Sequence, residues 1–143
     1  MGRTQLYREQ HQEIARLVAA LLALLEPAAL RKDAAPAFGH LMDLAGKLRL
    51  HLTLEDRTLY PELLQHPNPD VRALTRLFRD EMGGIYRDFE SLLHAWDSPR
   101  AIAADPKGFA RELRNLFRVL AKRVEREDGE LYPMVDRVEA QAR

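Results

Sequence analysis

Glu55-Asp56-Arg57-Thr58-Leu59-Tyr60-Pro61 and Glu127-Asp128-Gly129-Glu130-Leu131-Tyr132-Pro133 share one pattern, E-D-x-x-L-Y-P. Five of seven positions are identical, at an offset of 72 residues. Each copy lies late in a run with helical apolar spacing, and each carries a proline where a helix interior tolerates one poorly. Upstream, Arg8-Glu9-Gln10-His11 and Ile14 lie over Arg79-Asp80-Glu81-Met82 and Ile85, at an offset of 71. The chain therefore reads as two related helix hairpins about a pseudo-twofold axis.

Working outward, breakers cut the sequence into long amphipathic pieces. The first runs roughly from Gln5 to Leu25 and ends at Pro27, with Ile14, Leu17, Val18, Leu21, Leu22 and Leu25 at spacings of three and four. The second starts near Pro36 and runs to the loop His66-Pro67-Asn68-Pro69. Pro61 within it should kink the helix or start a new turn. The third opens with Asn68-Pro69, a cap followed by proline at the first helical position, and ends at Asp97-Ser98-Pro99. Gly83-Gly84 lies mid-helix, a weakness of up to about 1 kcal/mol per glycine. The fourth opens with Asp105-Pro106, and Pro133 interrupts it as Pro61 interrupts the second. No segment alternates with a period of two. The expected fold is all-α, an antiparallel up-down-up-down four-helix bundle, as a single domain over residues 1–143 with hairpins of about 5–66 and 69–138.

Composition narrows the function classes. The 143 residues hold 22 basic and 22 acidic side chains and no cysteine. Absence of Cys rules out disulfides, thiolate metal sites and a cysteine nucleophile. Zero net charge argues against a nucleic-acid partner. The longest apolar run, Leu17 to Leu25, is far short of the roughly 20 residues that span a bilayer. With no signal-peptide pattern at the N-terminus, the expectation is a soluble, cytoplasmic protein without a membrane partner.

His51 precedes Glu55 by four residues, so the two share a helix face. That face also carries Leu44, Leu48 and Leu59 and points to the core. His11 lies on the stripe of Ile14 and Val18. Imidazoles and carboxylates converging from facing helices are how metal sites are built in bundles. Glu127 repeats Glu55, whereas His51 maps to Arg123 and His11 to Met82. Arg123 is one turn before Glu127 and can pair with it, or with Glu55 across the bundle; the alternative is an arginine that snorkels to the surface. His40 is about 16 Å from His51 by helix rise, too far to share an ion. His66 and His94 read as loop or surface residues. Tyr60 and Tyr132, five residues after the two glutamates, read as packing groups or hydrogen-bond partners of the site.

At these residues the sequence resembles the hemerythrin-like (HHE cation-binding) family, whose fold is a four-helix bundle with a twofold H…HxxxE pattern and a non-haem di-iron centre. The resemblance runs from His11 to Pro133. It implies His11, His51 and Glu55 as ligands from the first hairpin and Glu127 as the second bridging carboxylate. Met82 and Arg123 then stand where the other iron's histidines would be, and Tyr86 stands in for a further histidine. One two-His, two-Glu set remains, suited to a single iron and also to Zn or Mn.

The resulting expectation is a binding protein and not an enzyme, with no catalytic residues. It holds about one iron-type metal per chain and senses or binds oxygen or nitric oxide, or handles iron. Loss of one half-site argues against reversible oxygen carriage, which draws two electrons from two irons. Two other readings stay open: a metal-free regulatory bundle with a protein partner or a homodimer, and a mononuclear iron oxidase or peroxide-consuming enzyme.

Overall fold

The computed structural model describes residues 2–142. Helix α1 (Gln5–Leu22) leads through a short α2 (Pro27–Lys32) into α3 (Ala35–Leu54), a π-helical turn (Glu55–Leu59) and α4 (Tyr60–Leu64). The second half repeats the order: α5 (Pro69–Met82), α6 (Ile85–Ala95), a short α7 (Pro99–Ala104), α8 (Pro106–Arg126), a second π turn (Glu127–Leu131) and α9 (Tyr132–Gln141). No strand occurs among the described residues, and none of their helices is long and apolar enough to cross a membrane. The architecture is an all-α helical bundle. Its neighbours run antiparallel: Arg8 near the start of α1 pairs with Asp136 in α9, whereas His11 pairs with Asp128 about two turns earlier in that limb.

The helix starts follow local chemistry. Asn68 accepts hydrogen bonds from the amides of Asp70 and Val71, and Asp105 from Gly108, each ahead of a proline that has no N–H to satisfy. Pro27 does more than end the first helix. With Glu26 capping Ala28 and Ala29, it begins α2, and Ser98-Pro99 does the same for α7.

Pro61 and Pro133 start new turns, as expected, each as the second residue of a new helix, α4 or α9. The backbone widens into a π turn just before each, where the Tyr60 and Tyr132 amides bond back five residues to the Glu55 and Glu127 carbonyls. The wider turn removes the acceptor clash and missing donor that a proline brings to an α-helix. Gly83-Gly84 is also more than a weak point, because the third helix breaks there into α5 and α6.

The π turns aim side chains. In an α-helix, residues five apart point about 140° away from each other. The wider turn brings Glu55 and Tyr60, and likewise Glu127 and Tyr132, to the same inner face, and all four are buried. The apolar core accordingly falls into two layers. One contains Ile14, Leu48, Leu52, Ile85 and Leu120; the other contains Tyr7, Leu59, Phe78, Met82, Leu131 and Tyr132. Along α1, α3 and α8 with the π turns that follow, His11, His51, Glu55, Arg123 and Glu127 fall about the change from one layer to the other, so a charged layer divides the core.

A Cβ at Gly83 would stand 2.5 Å from the Arg79 carbonyl oxygen, whereas one at Gly129 meets nothing within 4 Å. Gly129→Ala should therefore stabilise the fold by about 0.4–1 kcal/mol, and Gly83→Ala should destabilise it by more than about 1 kcal/mol. Urea denaturation measures both, and equal effects of one sign would contradict the account.

Candidate metal centre

His11 from α1, His51 from α3, Glu55 from the first π turn and Glu127 from the second all reach the charged layer. Each offers one ligand atom, and these atoms lie within 4.8 Å of one another. None of the four is more than 3% exposed. His51 Nε2 is 2.9 Å from Glu55 Oε1, and His11 Nε2 is 3.3 Å from Glu127 Oε1 and 3.8 Å from Glu55 Oε2. The two imidazole rings meet edge to face at 4.6 Å.

Each histidine is held from behind. His11 Nδ1 is 2.8 Å from Asp128 Oδ1, and His51 Nδ1 is 2.7 Å from Gln10 Oε1. A carboxylate only accepts, so His11 Nδ1 carries a proton. In the neutral ring this leaves the Nε2 lone pair facing the centre, the orientation that outer partners impose on metal-binding histidines. His11 Nε2, His51 Nε2 and Glu127 Oε1 have no hydrogen-bond partner, although buried polar atoms nearly always have one. Three unsatisfied donor atoms of the right type facing one point fit a cation. Around one ion with bonds near 2.1 Å, ligand atoms lie at most about 4.2 Å apart, so a small closing of the cluster suffices.

Arg123 is turned inward and is 1% exposed. Its Nη2 lies 3.2 Å from Glu55 Oε1 and 2.8 Å from Asp56 Oδ1, and its Nε lies 3.3 Å from Glu127 Oε2. Its Nη1 donates to the Met82 carbonyl at 3.2 Å. Tyr60 donates to Glu127 Oε2 at 2.5 Å, and Tyr132 donates to Glu55 Oε2. Each tyrosine thus crosses to the glutamate of the other hairpin. The Met82 side chain packs in the apolar layer. Tyr86 does not join this group: half-buried, it packs against the larger apolar layer and lines a surface cleft with Asp56 and Arg79. The glycine break before α6 changes the helix phase between Met82 and Tyr86, so the expected one-turn relation fails. Of the other histidines, His40 bonds the Pro36 carbonyl, His66 accepts from the Asn68 amide, and His94 is exposed.

Gln10, Asp56 and Asp128 carry roles that spacing alone does not reveal. Asp56 and Asp128 occupy the second position of the repeated heptapeptide, and that repetition was the available signal. Their partners now differ: Asp128 holds His11, and Asp56 holds Arg123.

Three carboxylates (Glu55, Asp56, Glu127) face the Arg123 guanidinium and a fourth, Asp128, faces His11, with the two aspartates partly exposed. The excess negative charge shifts the ionisation of the buried groups. Burial and the nearby Glu55 push the Glu127 carboxyl up to about 8. Burial by itself would lower His11, but the Glu127 and Glu55 carboxylates facing its Nε2 outweigh it and hold the ring at about 10. Burial would raise Glu55, yet its pairing with His11, His51 and Arg123 holds it well below the usual carboxylate range. Burial and the adjacent carboxylates raise both tyrosine hydroxyls.

The chain matches the hemerythrin HHE cation binding domain over residues 3–135 and belongs to that family. No curated protein and no solved structure matches it. Family and geometry agree on a cation-binding bundle with a His/Glu cluster able to hold a metal ion.

The raised groups fix a pH dependence. Glu127 holds a proton in the folded, metal-free chain between its ordinary 4.5 and about 8, and His11 between 6.5 and about 10. The unfolded chain has lost these protons, so metal-free stability should fall as pH rises through these windows, by up to about 1.4 kcal/mol per pH unit for each proton. Denaturation of chelator-treated protein at a series of pH values checks this, and a flat or rising stability across the same windows would contradict it.

Proposed function

We propose that this chain binds a single divalent metal ion, iron in its working form, through His11, His51, Glu55 and Glu127. We further propose that it uses the remaining coordination positions to sense or bind a diatomic ligand, oxygen or nitric oxide. The observation that carries the single-ion reading is the Arg123 guanidinium. It lies against Glu55, Asp56 and Glu127, on the side where a second ion would share the same carboxylates. Two histidines and two carboxylates suit Fe(II), and also Zn or Mn. A bound iron would supply a redox-active Lewis acid with open positions for a small ligand.

The residues around the cluster favour binding over turnover. His11 and His51 are fixed from behind by Asp128 and Gln10, and both bridging-type carboxylates are tied down by Arg123 and a tyrosine. An apolar groove of about 380 Å³ between α1 and α8, walled by Ile14, Val18, Leu120 and Val124, reaches the His11 ring. Such a groove admits a small apolar ligand, and besides His11 only Glu125 among its lining residues is polar. The absence of cysteine fits a reducing, cytoplasmic setting.

One observation favours a second reading, a metal-free regulatory bundle. Arg123, Tyr60 and Tyr132 already satisfy three of the four Glu55 and Glu127 oxygens.

Elemental analysis of protein purified from iron-supplemented cells without chelator separates the two. About one metal per chain, lost in His51→Ala, is the expected result. Less than about a tenth of a metal per chain in both proteins would overturn the metal reading and favour the regulatory bundle.

A further inference from the structure

The break at Gly83-Gly84 has a counterpart on the surface. The pseudo-equivalent positions Gln12 and Glu13 lie inside the unbroken α1, so the two halves differ here. Beside the break, between it and the first π turn, lies a cleft of about 450 Å³. It is lined by Arg57, Arg79 and Arg87 together with Thr53, Tyr86 and Asp56. A volume of this size is in the range of small-molecule sites, about 300–1,000 Å³.

The charge of the cleft is out of keeping with the rest of the chain. The whole sequence is neutral, yet three arginines line this cleft and only one acidic residue, Asp56, does. That carboxylate, Asp56, is held by Arg123 at 2.8 Å, which puts a fourth guanidinium directly behind it. Among the described residues, neither Arg57 nor Arg87 has a carboxylate within ion-pair distance, and Arg79 has only its exposed neighbour Asp80. The break also leaves the start of α6, at Gly84, without a side-chain cap beside these arginines, and the positive end of a helix adds to the same field. Across the pseudo-twofold axis, the equivalents of Arg57 and Tyr86 are Gly129 and Ala15. The equivalent of Arg87 is Arg16, which is already paired with Glu13. The cationic cleft therefore belongs to this side alone.

We infer that this cleft binds a phosphate group, carried on a small organic body, through Arg57, Arg79 and Arg87. Guanidiniums bind phosphate oxygens in pairs with fixed geometry, and several around one cleft select a dianion over chloride. Thr53 and the Tyr86 hydroxyl add donors, and the cleft has room beyond one phosphate for an ester substituent. Binding draws Arg79 away from Asp80. The site stands apart from the metal cluster and needs no ion there.

Calorimetric titration of the purified protein in chloride buffer tests this, with glycerol 3-phosphate and with inorganic phosphate as probes. Saturable binding of the ester with a Kd below about 1 mM is expected. Binding should weaken about tenfold or more in the double variant Arg57→Gln, Arg87→Gln and remain unchanged in Arg16→Gln. Amide shifts on titration should concentrate at Thr53, Gly83, Gly84 and Arg87. Tighter binding of the ester than of inorganic phosphate assigns the spare volume to an organic body, and equal binding assigns the site to phosphate itself. No saturation with either probe, or equal binding by the double variant and wild type with unchanged far-ultraviolet dichroism, would overturn the proposal.

Discussion

Arg123 lies buried among Glu55, Asp56 and Glu127, and each partner depends on the other. A buried guanidinium without counter-charges costs several kcal/mol, and so do carboxylates gathered without a cation. The pairing is therefore less a source of net stability than a condition for placing two glutamates in the middle of a bundle. It also fixes the site's polarity. The carboxylate oxygens on one side are committed to arginine, whereas on the other His11 Nε2, His51 Nε2 and Glu127 Oε1 stay unpartnered. A pseudo-symmetric fold has become chemically asymmetric, with an organic cation on one side and room for an inorganic one on the other.

The π turns make that arrangement buildable. Each lets a glutamate and a tyrosine five residues later face inward together, and each tyrosine hydroxyl reaches the glutamate of the opposite hairpin. These crossed bonds join the two hairpins through the charged layer itself. The proline after each tyrosine sits where the widened backbone tolerates it. Site geometry and backbone irregularity are thus one feature, written twice in the sequence at an offset of 72 residues.

Much of this was legible beforehand. Proline behind a capping residue marked the helix starts at Pro69 and Pro106, and apolar spacing gave the bundle. The convergence of His11, His51, Glu55, Glu127 and Arg123 followed from the repeat and from four-residue spacing, because both encode direction along a helix. What spacing does not encode stayed hidden. Gln10, Asp56 and Asp128 flank the cluster at partly exposed positions, where polar residues are ordinary. The π turns change helix phase without a distinctive residue apart from the prolines. Tyr86 was placed at the site on an assumption of continuous phase after Met82, which Gly83-Gly84 breaks. The two glycines of that break also line the arginine cleft.

The central claim is that the Arg123 guanidinium takes the place of a second metal ion. The most direct test is the metal-to-chain ratio of the double variant Met82→His, Arg123→His beside the wild type, both reconstituted with Fe(II) without oxygen and freed of loose ion. The account predicts about one ion per chain in the wild type and about two in the variant, since Asp56 is freed to orient a new ligand as Asp128 orients His11. Two ions in the wild type, or a folded variant that still holds only one, would contradict it.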